Sequence, residues 1–412
     1  VWMKRVGPIK HNLMFFPSPD LSSYENTEED LAKAMRQIVS IFDERISAYP
    51  DEYMWFYKFY KYSADRQVLL LDDGKTGHLR QSQTVAGMLD KALAAKHKKV
   101  TVSTVKITFK SRQLLKLFQV YAGTAQVFKF LRKEEILSFF LSLESYEDLL
   151  RVKADWIVSC ASAMGALNFF LKSCYMARSI CILKSGLVSR RQFDLVITPQ
   201  HDSPGVNGKA KVVFTKAALN LITPVYLESQ RTALVSHFSH LKTNVRTKIG
   251  VLLGGDTKEV VFTEAVVRVL LRQLKESALH FNADILITTS RRTSKEIDAL
   301  VSKELKGFDR CSLCVIANND NSPYVLGGIL ALADVLIVSG ESISMISEAL
   351  SSGKPTIVFS VDSDYHKEHI KTKYDRFVYG LNDGGYLLAC AVKDVSSVIQ
   401  NVMRKKMSLN KF

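Results

Sequence analysis

Between residues 67 and 361, short β-branched and aliphatic runs alternate with stretches whose apolar residues recur at helical spacing, and this alternation leaves few folds open. The runs are "QVLLL", "VTVSTVKI", "DWIVSCA", "SICILK", "DLVITP" and "KVVFT", then "KIGVLLGG", "DILITTS", "SLCVIAN", "VLIVSGE" and "TIVFSV". Strands separated by helices pair in parallel through crossover connections, so the chain reads as α/β with parallel sheets. Between the two groups, "LNLITPVYLESQRTALVSHFSHLKTNVRT" reads as one long helical pattern, after which a new strand and glycine turn restart the alternation. The expected architecture is two Rossmann-like domains, residues 67–240 and 241–412, facing a cleft, with the helical stretch Val395 to Lys405 returning toward the first domain. Residues 1–66 read as a helical appendage. There Leu31, Met35, Ile38, Ile41, Phe42 and Ile46 share one helical face before a Pro break and an aromatic-basic segment, a combination unable to form a core of its own.

In parallel sheets, ligands gather at the carboxyl ends of the strands, where helix N-termini present unpaired N–H groups. In "LLLDDGKTGHLRQS" a strand runs into a turn bearing Asp73, Gly74, Lys75 and Gly77, and His78 adds a base or donor. The turn is neither GxGxxG nor GxxxxGK. His201 and Asp202, in "DLVITPQHDSPG", stand at another strand end of the same domain and join His78 as candidate catalytic groups. In the second domain, Gly254 and Gly255 of "LLGGDTKEVVFTEA" allow close backbone approach beside Asp256 and Lys258. Ser290, Arg291 and Arg292 of "ILITTSRRTSKEI" precede a helix capped by Thr293 or Ser294, and paired guanidinium groups suit phosphate oxygens. In "VLIVSGESISMISEALSSGKP" a strand ends at Val338, and Ser342 and Ser344 are placed to cap a helix beginning near Ile343. Ser347 and Glu348 follow on that helix, where a carboxylate can accept two vicinal ribose hydroxyls. Each turn alone also reads as ordinary structure: a capping Asp, a satisfied histidine, a capping box with a solvated Glu348. Three phosphate-friendly strand ends together point to a phosphate-bearing ligand in the second domain.

Composition narrows the partners. The chain has 412 residues, 47% hydrophobic and 24% charged, the balance of a folded protein of two ordinary domains. A formal charge of +15 draws the surface to polyanions. The lysines are spread along the chain instead of stacked beside aromatics, and no RRM, KH or zinc-finger pattern occurs, which disfavours nucleic acid and leaves anionic lipid or a phosphorylated substrate. Six scattered cysteines read as reduced thiols of an intracellular chain, and the lone C-x-x-C, Cys311 and Cys314, reads as buried cysteine in place of zinc. No carboxylate-rich metal motif or GxSxG elbow occurs, so no obligate metal is expected. The longest apolar run, "LGGILALADVLIV", is broken by Asp334 and is too short to span a bilayer. The sequence opens at Val1 with neither Met nor a signal-like segment, and reads as a piece of something longer.

The segments "DDGKTGHLRQS", "FDLVITPQHD", "LLGGDTKEVVFTEA", "TTSRRT", "NSPYVLGGILALAD" and "SGESISMISEALSSGKP", in this order, resemble the mitochondrial-fission Elm-like family, whose bacterial members share a glycosyltransferase-B-like architecture. The resemblance covers Gln67 to about Val361. It implies a nucleotide-side turn at Ser342, Ser344, Ser347 and Glu348 and a phosphate side at Gly254, Gly255, Arg291 and Arg292. The arginine-bearing GRRT-like element implied for the first domain stands here as "SCASAMGA". Separately, "ENTEEDLAKAMRQIVSIFDERISAYPDEYMWFYKFYK" is similar to the carboxyl end of lipid A late acyltransferases. The H-x-x-x-x-D pair of such acyltransferases is absent at all nine histidines, so no acyl transfer is expected from this chain, and the likeness implies association with a missing acyltransferase domain.

Together these readings lead to an expected transfer of sugar from a nucleotide sugar, of the UDP type, to an envelope glycolipid of the lipid A or lipopolysaccharide kind, at the inner face of the cell membrane. The competing expectation is a non-catalytic scaffold that keeps the fold as a partner-binding surface.

Overall fold

Two strand ladders, each six strands long, organise most of the computed structural model, which describes residues 2–5, 11–15, 25, 27–48, 65–125, 128, 134–200, 211–243, 245–257, 259–320, 322–360 and 372–409. By internal packing the chain divides into two units, Val1–Val68 with Met88–Ser103, and Leu69–Gly87 with Thr104–Phe412. The first unit opens with a hairpin that sequence reading did not anticipate: β1 (Trp2–Arg5) pairs antiparallel with β2 (His11–Met14), Trp2 opposite Met14. Helix α1 (Glu28–Ala48) follows, its start fixed by Thr27, whose hydroxyl accepts from the Asp30 N–H while the Asp30 carboxylate accepts from the Thr27 N–H. Its apolar positions are divided, Ile46 being buried and Leu31 and Met35 exposed. The aromatic-basic stretch after it, including Trp55, Phe56, Tyr57 and Phe59, lies outside the described residues.

In chain order there follow β3 (Asp65–Asp72), α2 (Thr76–Ala94), β4 (Lys99–Lys106), α3 (Arg112–Ala125), α4 (Leu137–Phe140), α5 (Leu143–Leu150), β5 (Trp156–Cys160), α6 (Ala161–Tyr175), β6 (Arg178–Ile182), β7 (Leu195–Pro199) and β8 (Val212–Thr215). Their sheet runs β4-β3-β5-β6-β7-β8. After α7 (Pro224–His237) and the one-turn α8 (His240–Thr243), the second set is β9 (Lys248–Leu252), α9 (Glu264–His280), β10 (Asp284–Thr288), α10 (Lys295–Leu305), β11 (Cys311–Val315), α11 (Tyr324–Leu332), β12 (Val335–Ser339), α12 (Ile343–Ser351), β13 (Thr356–Ser360), α13 (Lys373–Asp383), β14 (Leu388–Ala391) and α14 (Val395–Leu409). Its sheet, β11-β10-β9-β12-β13-β14, is parallel throughout.

A parallel sheet covered on both faces needs strands that are apolar at every position, which explains the unbroken runs seen in the sequence. The pleat divides them. Ile249, Val251, Ile285, Ile287 and Ile337 face α9, α10 and α14, while Leu252, Leu286, Leu336 and Val338 face α7, α11, α12 and α13.

Three expectations are corrected. The long helical pattern after β8 is two helices: Pro224, lacking an N–H, takes the first helical position of α7 behind the Thr223 cap, and α7 stops at Phe238. Gly327 and Gly328 of α11 lie directly against Gln230 and Leu234 of α7. The described side chains of α14 pack on the second sheet in place of the first domain: Val395, Ile399 and Met403 enter the core under α9, and Ser396 bonds Gln273 and Ser277. Cys311 is only half-buried and Cys314 is exposed, because a register shift inserts Ser312 opposite no partner and turns both thiols to the same face of edge strand β11.

Candidate functional site

The first domain's contribution is the turn from β3 into α2. Asp72 accepts from the Gly74 N–H at 2.8 Å and Asp73 Oδ1 accepts from the Lys75 N–H at 3.2 Å, so both aspartates shape the turn. The other oxygen of Asp73 lies 2.8 Å from His78 Nδ1 and 3.7 Å from Lys75 Nζ. With the proton on Nδ1 donated to that carboxylate, His78 Nε2 keeps its lone pair. Gly77 lies beside His78 in the first turn of α2. His201 and Asp202, the other catalytic candidates, lie outside the described residues.

In the second sheet the chain moves outward in opposite directions from β9, so β9 and β12 flank the topological switch point. The turn after β9 is held by the turn after β12: Gly254 N–H donates to Ser339 Oγ at 2.8 Å and Gly255 N–H to Glu341 Oε1 at 3.1 Å. A Cβ on Gly254 would stand 1.6 Å from Glu341 Oε1, and one on Gly255 would stand 2.3 Å from the Arg292 carbonyl. The close approach expected of a ligand at these glycines is therefore made by the protein itself. Asp256 accepts from the Phe262 N–H at 2.8 Å and fixes the loop into α9; Lys258 lies outside the described residues.

At the end of β10, Ser290 Oγ accepts from the Arg292 N–H at 3.0 Å, and Ser290 N–H donates to Thr293, whose hydroxyl donates to Gly254 O. Ser294, not Thr293, caps α10. Arg291 and Arg292 extend into solvent with no ion-pair partner among the described residues.

Helix α12 begins at the switch point. Ser342 occupies the cap position, yet its side chain makes no capping bond, contrary to expectation; exposed Ser344 makes none either. The first internal bond runs from Ile346 N–H to Ser342 O, so the N–H groups of Ile343, Ser344 and Met345 have no acceptor among the described residues. Ser347 is not open to a ligand: its hydroxyl donates to Ile343 O at 2.6 Å and accepts from Ala218 N–H at 3.0 Å. Asn220 Nδ2 adds bonds to Ser347 O and Ser351 Oγ, fastening the connector after β8 to this helix.

Glu348 is not the solvated residue of a capping box. It is 9% exposed, in the second turn of α12, and Oε1 accepts from Arg80 Nη1 of α2 at 3.4 Å. Burial pushes its carboxyl above the usual range, against the pull of Arg80. Tyr226 of α7 feels both charges, and burial raises its phenol. Sequence reading missed Arg80, Tyr226 and Glu341. Arg80 was legible as a cation two positions after His78; Glu341 stood unread inside "SGESIS", and nothing local marked Tyr226.

No cluster of three or more metal-ligating side chains occurs among the described residues, and no described helix is long and apolar enough to cross a membrane. Two parallel α/β sheets with polar strand ends, the helix at the switch point and an N-terminal helix make up a glycosyltransferase-B-like fold. The chain belongs to the mitochondrial fission ELM1 family, whose model matches residues 76–405. It is 22% identical over 322 residues to the uncharacterized protein RP120 of Rickettsia prowazekii, covering 71% of this chain and 82% of that one. It is 28% identical over 217 residues to mitochondrial fission protein ELM1 of Arabidopsis thaliana, 47% of each chain. Among solved structures it shares its fold with the UDP-GlcNAc 2-epimerase of Methanocaldococcus jannaschii, at TM-score 0.50 and 11% identity, covering 82% of this chain and 92% of that one. The putative UDP-N-acetylglucosamine 2-epimerase of Listeria monocytogenes gives TM-score 0.50 and 9% identity, over 84% and 89%.

Proposed function

We propose that the protein transfers a sugar from a UDP-type nucleotide sugar to an anionic envelope glycolipid. The observation that carries this reading is the start of α12: three unpaired N–H groups, with buried Glu348 less than two turns further along the same helix. A diphosphate would take those donors together with the guanidinium groups of Arg291 and Arg292, and Glu348 would accept the ribose hydroxyls. His78, oriented by Asp73, would remove the acceptor hydroxyl's proton as that oxygen attacks the anomeric carbon directly and the nucleoside diphosphate leaves. His201, Asp202, Gly254, Gly255, Asp256, Lys258, Ser290, Ser342, Ser344 and Ser347 belong to this proposal as sequence candidates. Of these, Gly254, Gly255, Asp256, Ser290 and Ser347 would support the site through the chain's own contacts. The two fold relatives named above are, by their names, enzymes of a UDP-sugar, which supports the choice of donor.

The acceptor and the place of action rest on the net positive charge, on the lipid A acyltransferase likeness of the first segment and on its aromatic-basic stretch, which together suit an anionic glycolipid at the inner face of a membrane. In this reading residues 1–66 seat the chain, 67–240 present the acceptor and 241–412 hold the nucleotide.

Calorimetric titration of UDP and UDP-sugars into wild type and Glu348→Gln tests it. The loss of one charge-assisted hydrogen bond costs about 1.5–3 kcal/mol, or roughly ten- to a hundredfold in affinity. Equal affinity in both proteins removes Glu348 from the site, and no binding to wild type across a broad nucleotide panel favours the scaffold.

A further inference from the structure

Glu341 lies between the two turns that meet at the switch point. It is 2% exposed, Oε1 accepts both from Gly255 N–H at 3.1 Å and from Ser339 Oγ at 3.0 Å, and Oε2 is enclosed with no hydrogen-bond partner among the described residues. One oxygen is thus satisfied as an acceptor, while the other sits where a carboxylate's charge is poorly solvated and a hydroxyl would serve better. The residue directly precedes the Ser342 cap and is two positions from the first unpaired N–H group of α12.

We propose that Glu341 is the proton-linked positioning residue of this anion seat: it takes up a proton on Oε2 when a nucleotide diphosphate occupies the start of α12 and gives it back when the seat empties. The inference rests on the nucleotide reading above and adds to it what regulates the site. A diphosphate brings negative charge beside an already buried carboxylate, and like charges disfavour the ionised form. Among the described residues, the charged group whose field helps keep Glu341 ionised is Arg292, exposed in the turn before α10. Once Arg292 turns to phosphate, that support is withdrawn, and both effects act in the same direction. The neighbouring carboxylates are engaged elsewhere, Asp256 holding the Phe262 N–H and Glu348 pairing with Arg80, while β13 presents no charged group and contributes only the Phe359 carbonyl to Gly340 N–H. The proton comes from solvent, Oε1 keeps both of its donors, and the turn after β9 keeps its place. Burial already pushes this carboxyl up to about 7, against the pull of its own N–H, Ser339, Arg292 and Gly255, which brings proton uptake into the neutral range.

The test is calorimetric titration of UDP-N-acetylglucosamine, whose diphosphate has no group titrating near neutrality, into the whole protein in paired phosphate-free buffers of unlike ionisation enthalpy, PIPES and imidazole at pH 7 and a matching pair at each other pH. At pH 7 the heats should differ between buffers by the uptake of about half a proton per nucleotide, falling toward none at pH 5. Above pH 7 affinity should weaken by up to about tenfold per pH unit. In Glu341→Gln, which keeps an acceptor for Gly255 and Ser339, both the uptake and the pH dependence should vanish. Binding by wild type with equal heats in both buffers at pH 7 overturns the proposal and leaves the nucleotide reading intact. The same uptake in Glu341→Gln also overturns it, placing the proton on another group. No binding by wild type at any pH removes both readings together.

Discussion

Arg80 of α2 and Glu348 of α12 meet at 3.4 Å, an ion pair that joins a helix following the first strand of one parallel sheet to the helix at the switch point of the other. Glu348 carries most of the burial and Arg80 is less than half exposed, so the pair costs Glu348 most of its hydration and Arg80 a smaller share. Replacing Arg80 by Met leaves a buried carboxyl without its cation and raises the Glu348 pKa further above its unfolded value. A raised folded pKa gives stability that is present at low pH and lost as pH rises. The melting temperature of Arg80→Met should therefore match wild type near pH 4 and fall increasingly below it toward pH 8, with Arg80→Lys between them. A constant deficit at both ends would show that lost packing of the arginine stem, not charge, is responsible.

The contact between Asp73 and His78 predicts a separation of chemistry from binding. Asp73→Asn removes the carboxylate that fixes the imidazole tautomer, and in a sugar-transfer assay it should lower kcat by about a hundred- to ten-thousandfold, the usual worth of a placed base. UDP affinity by calorimetry should be unchanged, because neither residue belongs to the helix that would hold the diphosphate. A matching loss in UDP affinity would place this turn in nucleotide binding instead.

Glu341 should also leave a mark on stability in the absence of ligand. Its carboxyl ionises at about 7 in the folded protein against an ordinary value of 4.5, so its contribution is complete below 4.5, declines between 4.5 and 7, and is flat above. The shift corresponds to a loss of roughly 3 kcal/mol across that window. Urea unfolding of Glu341→Gln at a series of pH values should lack this decline and converge with wild type only under acid. Parallel curves across the window would show that the carboxyl does not titrate there.

The connector after β8 supplies a fourth expectation. Asn220 bonds Ser347 O and Ser351 Oγ, while Ala218 N–H reaches Ser347 Oγ. Asn220→Ala removes two of these bonds and should destabilise the protein by about 1–2 kcal/mol, read as a lower urea midpoint at an unchanged slope. Ser347→Ala should cost a similar amount, and the double variant should fall short of the sum, since both residues belong to one network.

The central strand runs of both sheets were legible because burial on two faces demands continuous apolar residues, and a pattern of that kind is local; the half-exposed edge strands β4 and β8 were legible from their β-branched residues. The glycines at 254 and 255 were legible as special positions but not for their reason, because Glu341 and the Arg292 carbonyl reach them only after β10 and β12 are in place. Ser342 reads as a cap from its spacing, yet its hydroxyl makes no capping bond, a matter of rotamer that spacing does not carry. The pairing of Glu348 with Arg80 spans most of the chain, and its partner is set by how two helices from separate sheets are brought together. The direction of α14 turned on whether its apolar stripe fitted α9, and both stripes look alike in one dimension.

The carboxylate of Glu341 fills the space that a side chain at position 254 would need. The two positions therefore vary as one. A larger residue at 254 has to displace the Glu341 carboxylate from its bond to Gly255 or wait until 341 has shortened, and an alanine at 341 would open a hollow that a methyl group at 254 could fill. What looks like a glycine chosen for its backbone is the imprint of a distant side chain, and a library that randomised position 254 with Glu341 kept would return mostly glycine.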